Sequence, residues 1–84
     1  MIIRSQDKKK ILNLEQIRKI DCETNSVMAD DISVMGIYST EEKAIEVLDR
    51  IAKKYSRYQC LKACGRISEE DAIFQMPSDE EVRA

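Results

Sequence analysis

The longest helical pattern in the sequence runs from Thr40 to Cys64, almost a third of an 84-residue chain. No glycine or proline interrupts this stretch before Gly65, which suits a left-handed residue at the end of a helix. Ser39 stands three residues before Glu42, the spacing of a capping box. Apolar residues three and four positions apart form one stripe: Ala44, Val47, Leu48, Ile51, Ala52 and Tyr55. The sequence therefore predicts a helix from about residue 40 to residue 55.

The sequence does not determine where this helix ends. Tyr58, Leu61 and Cys64 continue the apolar stripe, whereas the segment "YSRY" favours a break into two packed helices. A continuous helix over residues 40–64 would be about 37 Å long at 1.5 Å per residue. Strands average about 17–20 Å, so a small sheet covers only part of such a helix. We expect the surplus to pack on a second copy of the chain.

The remaining sequence is typical of short strands. Extended patterns occur at 1–4, at 11–14 with a continuation after Glu15 into 16–23, at 27–28 and at 31–38, and a late apolar segment at 73–76 is ended by Pro77. Gly36 indicates a bulge or a close backbone approach. The predicted fold is α+β, with an antiparallel sheet of about five strands, the helix on one face and the late strand returning to the sheet. Residues 1–77 form one predicted domain, and 78–84 a polar C-terminal tail expected to fray.

Composition and charge restrict the function classes. The net charge is −2, so the chain as a whole has no attraction for nucleic acid or an anionic membrane. The beginning of the sequence contains no apolar segment like that of a signal peptide, and no stretch reaches transmembrane length. Three cysteines form no disulfide framework. We expect a reduced, cytoplasmic protein without membrane contact.

Residues for catalysis or metal binding are scarce. The chain has no histidine and only two glycines, so it lacks the usual base of a nucleophilic cysteine and any glycine-rich phosphate loop. Cys60 and Cys64 stand four residues apart, and only Cys22 could join them, whereas a structural zinc site needs four ligands. Free thiols are the expected state of all three. The sequence predicts a protein that is not an enzyme and carries no metal or cofactor.

Two basic clusters could hold an anionic ligand. The first is the stretch "RSQDKKK", where Arg4 and Lys8 carry charge and Gln6 offers a donor and an acceptor. Its plainer interpretation is a charged turn between two strands that keeps an edge soluble. The second cluster lies on the predicted helix and comprises Lys53, Lys54, Arg57 and Lys62, interleaved with Tyr55 and Tyr58. A solvated helix face with tyrosines at a subunit boundary is its plainer interpretation.

Three segments together carry a resemblance. "MIIRSQDKKKILNL", "GIYSTEEKAIEVLDRI" and "FQMP" occur in this order, and the chain resembles a group of small proteins encoded by phages and mobile elements of Gram-positive bacteria. The resemblance covers most of the chain, except "DCETNSVMADD" and "YSRYQCLKACGRISEED". It implies a compact β-sheet with one helix and an intracellular, phage-borne setting. It implies no catalytic residues.

These observations lead to one functional expectation and two alternatives. The expected function is a homo-oligomeric accessory binding protein, associating through helix 40–64, that counters host defence. It would sequester a nucleotide immune signal or inhibit a host defence protein. In the first case Arg4 and Lys8 neutralise phosphate, Gln6 reads a polar edge, and Tyr38 or Tyr58 stacks on a base. The alternatives are a nucleic-acid-associated regulator using the helix cluster and a small assembly protein.

Overall fold

The computed structural model describes residues 1–83 and shows one long helix packed on six short strands. This confirms the predicted α+β class. Two short 3-10 turns, Leu14–Gln16 and Asp79–Glu81, complete the secondary structure. In chain order the strands and the helix are β1 (Ile2–Arg4), β2 (Ile11–Asn13), β3 (Ile20–Glu23), β4 (Ser26–Ala29), β5 (Ser33–Ile37), α1 (Glu41–Cys64) and β6 (Ile73–Gln75).

The strands are divided between two three-stranded sheets instead of one sheet of about five strands. One sheet has the order β2-β1-β6 and the other the antiparallel order β3-β4-β5. The late strand β6 returns beside β1, as predicted, but runs parallel to it. Gln6, two residues after the end of β1, occupies the edge of β5 by donating its backbone N–H to the Met35 carbonyl at 2.8 Å. The two sheets therefore meet at Gln6 without a continuous ladder.

Helix α1 is continuous from Glu41 to Cys64, which answers the question that the sequence left open. Its N-cap is Thr40, whose Oγ1 accepts a hydrogen bond from the Lys43 backbone N–H at 3.2 Å. The predicted capping box at Ser39 is wrong, because the Ser39 backbone N–H donates to Asp79 Oδ1 at 2.6 Å. Gly65 ends the helix in the left-handed region at φ 70°, as predicted.

The position of the cap leads to a stability prediction. Thr40→Ala removes the acceptor for the Lys43 N–H and should lower the free energy of unfolding by about 1 kcal/mol. Ser39→Ala is the matched control and should change it by less than about 0.5 kcal/mol, since Ser39 is exposed and its backbone N–H, which the variant keeps, holds Asp79. Urea unfolding monitored by circular dichroism measures both values. A larger loss for Ser39→Ala than for Thr40→Ala would contradict this assignment.

The core lies between α1 and the inner faces of the strands. The helix contributes Ala44, Val47 and Ile51, three positions of the predicted apolar stripe. Gly36 lies next to a bulge in β5: Val27 pairs with Gly36 and Met28 with Val34, so Met35 is the extra residue. The other buried hydrophobic residues are Met1, Ile3, Val27, Ala29, Met35, Tyr38, Phe74, Met76 and Val82.

The segment after Pro77 packs against the domain. Val82 is 2% exposed and belongs to the core. Asp79 accepts the Ser39 N–H and also lies 3.4 Å from the Lys43 ammonium. The expectation of a frayed tail over residues 78–84 is therefore wrong for 78–83, and Ala84 lies outside the described residues. The sequence concealed this packing because a single valine among five polar residues forms no periodic pattern.

Candidate functional site: a basic groove between the long helix and β6

Arg4 and Lys8 lie together in an exposed turn. The loop over residues 5–10 is closed by a hydrogen bond from the Ser5 backbone N–H to the Lys10 carbonyl at 2.9 Å. The buried Ser5 hydroxyl donates to Asp7 and accepts from the Lys10 backbone N–H. Arg4 Nη2 lies 3.5 Å from the Lys8 carbonyl, a weak contact that leaves both charged groups at the surface. The structure thus forms the predicted turn and places two of the predicted ligand residues side by side.

Gln6 and Tyr38 form hydrogen bonds that hold the fold together. The Gln6 side chain accepts the Ile37 backbone N–H at 2.9 Å and donates to the Pro77 carbonyl at 3.4 Å. Tyr38 is only 2% exposed, and its hydroxyl donates to the same carbonyl at 2.8 Å. Burial raises the pKa of Tyr38 to about 12. The predicted stacking role of Tyr38 is wrong, because neither face of its ring is open to a ligand.

Tyr58 lies at a different place from the charged turn. Its ring stacks on Tyr55 with centroids 6.0 Å apart, and the Lys62 ammonium lies 5.9 Å from its centroid. Glu15 is close by, and a hydrogen bond from the Met1 ammonium at 3.3 Å lowers the pKa of that carboxyl. Tyr58 is half-buried and packs against the hydrophobic core, and its contacts with Tyr55, Lys62 and Glu15 do not include the turn. The five residues predicted from the sequence therefore do not form one site.

A second cluster of cations lines an open groove. Arg50, Lys53, Lys54 and Arg57 recur at intervals of three and four residues, which places them on one face of α1. Together with Glu70 and Asp71 opposite, they line a shallow, open space of about 460 Å³. We call this space the basic groove. The helix supplies the cations, and the loop before β6 supplies the opposite wall.

The basic groove continues along β6. An adjoining space of about 530 Å³ shares Lys54 and Glu70 with it and adds Glu69, Ile73, Phe74 and Gln75. Ile73 and Gln75 are exposed, whereas Phe74 between them belongs to the core. Successive side chains of a strand point to opposite faces, so Phe74 lies on the other face from Ile73 and Gln75. Because all three line this space, the space runs along the edge of the strand. We call this continuation the β6 groove.

Positive charge predominates in the basic groove. Arg50 Nε lies 3.5 Å from Glu46, and Arg57 Nε lies 3.9 Å from Asp71. Neither Lys53 nor Lys54 forms an ion pair within residues 1–83. A hydrogen bond from the Ser68 hydroxyl, assisted by the positive charges of Arg57 and Lys54, lowers the pKa of Asp71. The two lysines are thus available to an anionic ligand, and the two arginines hold only long ion pairs.

Sequence reasoning identified part of this site. Lys53, Lys54 and Arg57 belong to the predicted helix cluster, but Arg50 was not grouped with them, and Lys62 lies near Tyr58 instead. The periodicity of positions 50, 53, 54 and 57 is the signal that could have found Arg50. The opposite wall over residues 69–75 had no such signal, because only the return of β6 brings it to the helix.

The other chemistry-bearing residues are dispersed. All three cysteines are free thiols, Cys22 half-buried in β3 and Cys60 and Cys64 exposed on α1. In the part of the chain that the structure describes, no three histidine, cysteine or acidic side chains converge as a metal site. Over the same residues, no helix has the length and apolar character to cross a membrane. The grooves beside α1 are therefore the strongest candidate site.

Comparisons of this chain with protein-family models, with curated proteins and with solved structures find no match.

Proposed function

We propose that this protein is a non-catalytic binding protein that captures an anionic, nucleotide-type ligand in the basic groove. The setting implied by the resemblance is a phage or mobile element in the cytoplasm of a Gram-positive bacterium. In that setting the protein acts as a homo-oligomeric accessory factor that sequesters a nucleotide signal of host defence. It acts without a metal or cofactor.

One observation carries the proposal: four cations on one helix face converge on an open groove, and two of them have no acidic partner within residues 1–83. Guanidinium groups bind phosphate in bidentate fashion, and lysine ammonium groups add charge. Arg50 and Arg57 therefore act as forks at the two ends, with Lys53 and Lys54 between them. Asp71 is the weak competitor that a phosphate displaces from Arg57.

The wall formed by β6 suits the other half of a nucleotide. Ile73 is 43% exposed and gives this wall an apolar surface, whereas Phe74 beside it is largely buried in the core. Apolar and aromatic side chains bind nucleobases by stacking and contact, while the charged side of a groove holds phosphate. A ligand with both parts would lie across the two grooves, with phosphate toward α1 and the base toward β6. Because the composition lacks the usual catalytic residues, we favour a protein that binds the nucleotide and does not convert it.

The groove leads to a binding prediction. Lys53→Ala/Lys54→Ala should weaken binding at least about tenfold, because it removes both cations that lack an acidic partner among the described residues. Lys9→Ala/Lys10→Ala is the matched control, since it removes the same charge from the 5–10 loop. Arg4→Ala/Lys8→Ala tests the turn site predicted from the sequence. Isothermal titration against cyclic dinucleotides, cyclic trinucleotides and cyclic ADP-ribose measures all three.

The same titrations separate the remaining candidates. Equal weakening by all three double variants would reflect net charge alone and would overturn the groove as the site. Weakened binding in Arg4→Ala/Lys8→Ala alone would place the ligand site at the turn. Absence of heat with every ligand, with no nucleotide in the purified protein by mass spectrometry, would overturn nucleotide capture. Salt-dependent retardation of DNA or RNA would then support the nucleic-acid-associated regulator. An oligomer without any ligand would support the assembly protein or the inhibitor of a host defence protein.

A further inference from the structure

The wall opposite the cations carries two carboxylates that the fold does not use. Glu69 and Glu70 both line the β6 groove, and neither side chain has a hydrogen-bond or ion-pair partner in the described part of the chain. The next residue, Asp71, is by contrast engaged by the Ser68 hydroxyl at 2.8 Å. An ionised carboxylate only accepts hydrogen bonds, through two oxygens side by side. Glu69 and Glu70 are therefore open to a ligand that donates hydrogen bonds.

The strand β6 adds one more acceptor and two backbone donors. The Gln75 side-chain nitrogen donates to the Ser5 and Met76 carbonyls, at 3.0 and 2.9 Å, which leaves Gln75 Oε1 as an acceptor without a donor among the described residues. β6 pairs with β1 on one side only, and in this register the backbone groups of Phe74 face β1. The backbone N–H groups of Ile73 and Gln75 therefore point along the outer edge of the strand.

The two grooves offer different residues to the parts of a nucleotide. Lys54 and Glu70 line both grooves, whereas Glu69, Ile73 and Gln75 line the β6 groove and not the basic groove. Under the proposed function the cations of α1 hold the phosphate, so the sugar lies near the two shared residues. The base then lies beside the exposed Ile73, within reach of the acceptors that belong to the β6 groove alone.

Guanine is the common base that matches a free carboxylate. Its Watson–Crick edge carries two adjacent donors, N1–H and the 2-amino group, beside the acceptor O6. The two oxygens of one carboxylate accept both donors at once, and the charge of the acceptor strengthens these bonds. Adenine and cytosine turn the lone pair of a ring nitrogen toward the carboxylate, and uracil has a single N–H between two oxygens. A carboxylate therefore forms two hydrogen bonds with guanine and at most one with the other bases.

We propose that Glu69 recognises guanine, so that the ligand captured in these grooves is a guanine nucleotide. The Glu69 carboxylate accepts N1–H and the 2-amino group, and a backbone N–H at the edge of β6 donates to O6. Glu70 lies at the boundary with the basic groove, on the sugar side, and acts on the ligand through its charge alone. This proposal rests on the proposed function and adds the identity of the base to it.

Isothermal titration of the full chain with three matched ligands tests base recognition. Cyclic di-GMP, cyclic di-IMP and cyclic di-AMP share one sugar–phosphate backbone, and hypoxanthine differs from guanine only in lacking the 2-amino group. Wild type should bind cyclic di-GMP at least about tenfold more tightly than cyclic di-IMP, because the latter leaves one carboxylate oxygen without its donor. Cyclic di-AMP should bind more weakly still. Equal affinity for the three ligands, or a preference for cyclic di-AMP or cyclic ADP-ribose, would overturn the proposal.

Two variants at neighbouring positions separate base recognition from charge. Glu69→Gln keeps the size of the side chain but replaces an acceptor oxygen by a donor, so it should weaken binding of cyclic di-GMP at least about tenfold and abolish the preference for guanine. Glu70→Gln makes the same change one residue away and should alter all three affinities by one common factor. Both residues are exposed, and circular dichroism confirms that each variant folds. Equal effects of the two variants on all three ligands would overturn the role of Glu69.

The proposed function and the base assignment fail in different ways. Absence of heat with every nucleotide would overturn both. Binding that Lys53→Ala/Lys54→Ala weakens, but that shows no preference for guanine, would contradict the base assignment and leave nucleotide capture intact. Binding that is lost when EDTA is added would show that the acids hold a metal ion against the phosphate, and it would overturn recognition of the base by Glu69.

Discussion

Replacing Val82 by aspartate should lower the free energy of unfolding by about 3–5 kcal/mol, the range for an uncompensated charge placed in a core. Val82 is 2% exposed, and the 3-10 turn of residues 79–81 carries it back into the core. The acids at 79–81 precede it directly and offer a new carboxylate no compensating charge. Urea unfolding at neutral pH, followed by far-ultraviolet circular dichroism, measures the change.

Val34→Asp is the control, because it makes the same chemical change at a position that is 38% exposed. It should cost less than about 1 kcal/mol, since water solvates the new charge. Equal and small losses at both positions would show that the C-terminal segment contributes little to the fold. A large loss at Val82 alone would establish that residues 78–83 belong to the folded domain.

Gly36→Ala should destabilise the protein by about 2 kcal/mol, although alanine is ordinarily better than glycine in a strand. A Cβ at Gly36 would lie 3.0 Å from both Cε2 and the hydroxyl oxygen of Tyr38, and 3.2 Å from Cε of Met76. The Tyr38 ring cannot yield easily, because it is buried and its hydroxyl donates to the Pro77 carbonyl. Thermal and urea unfolding of the variant measure the loss.

A double-mutant cycle tests the cause of this loss. Tyr38→Phe removes the hydroxyl that the new Cβ meets, so Gly36→Ala should cost about 0.5–1 kcal/mol less in that background. Gly65→Ala is the control, because its Cβ meets nothing within 4 Å and its cost of about 1 kcal/mol arises from φ 70°. It should show no coupling to Tyr38→Phe. Additive losses at Gly36 and Tyr38 would refute a direct contact.

Local patterns in the sequence accounted for the elements of the fold. The apolar stripe through Val47 and Ile51 predicted α1, and Gly65 predicted its end, because helical periodicity and a left-handed cap are encoded within a few residues. The bulge beside Gly36 and the late strand ended by Pro77 were also recognisable. The arrangement of the strands was not, because pairing in two sheets depends on contacts between residues far apart in the chain, such as Ile3 with Phe74.

In the candidate site, too, local patterns predicted some residues and contacts between distant residues decided the rest. Charge and periodicity indicated Lys53, Lys54 and Arg57, and the structure places them with Arg50 in one groove. Residue type alone also suggested Gln6 and Tyr38 as ligand residues, yet both are engaged by the fold through the Pro77 carbonyl, some forty to seventy residues away. A polar or aromatic side chain looks the same in a sequence whether a ligand or a distant backbone group is its partner.

The sequence by itself determined the long helix, its C-terminal cap, the charged turn at Arg4 and Lys8, and the absence of histidine chemistry. Each of these depends on residues within a few positions of one another or on composition alone. Only the tertiary structure decided that Thr40 rather than Ser39 caps the helix, that Val82 closes the core, and that the loop before β6 forms the second wall of the basic groove. The physical reason is that long-range backbone pairing and burial select among local alternatives that are nearly equal in energy.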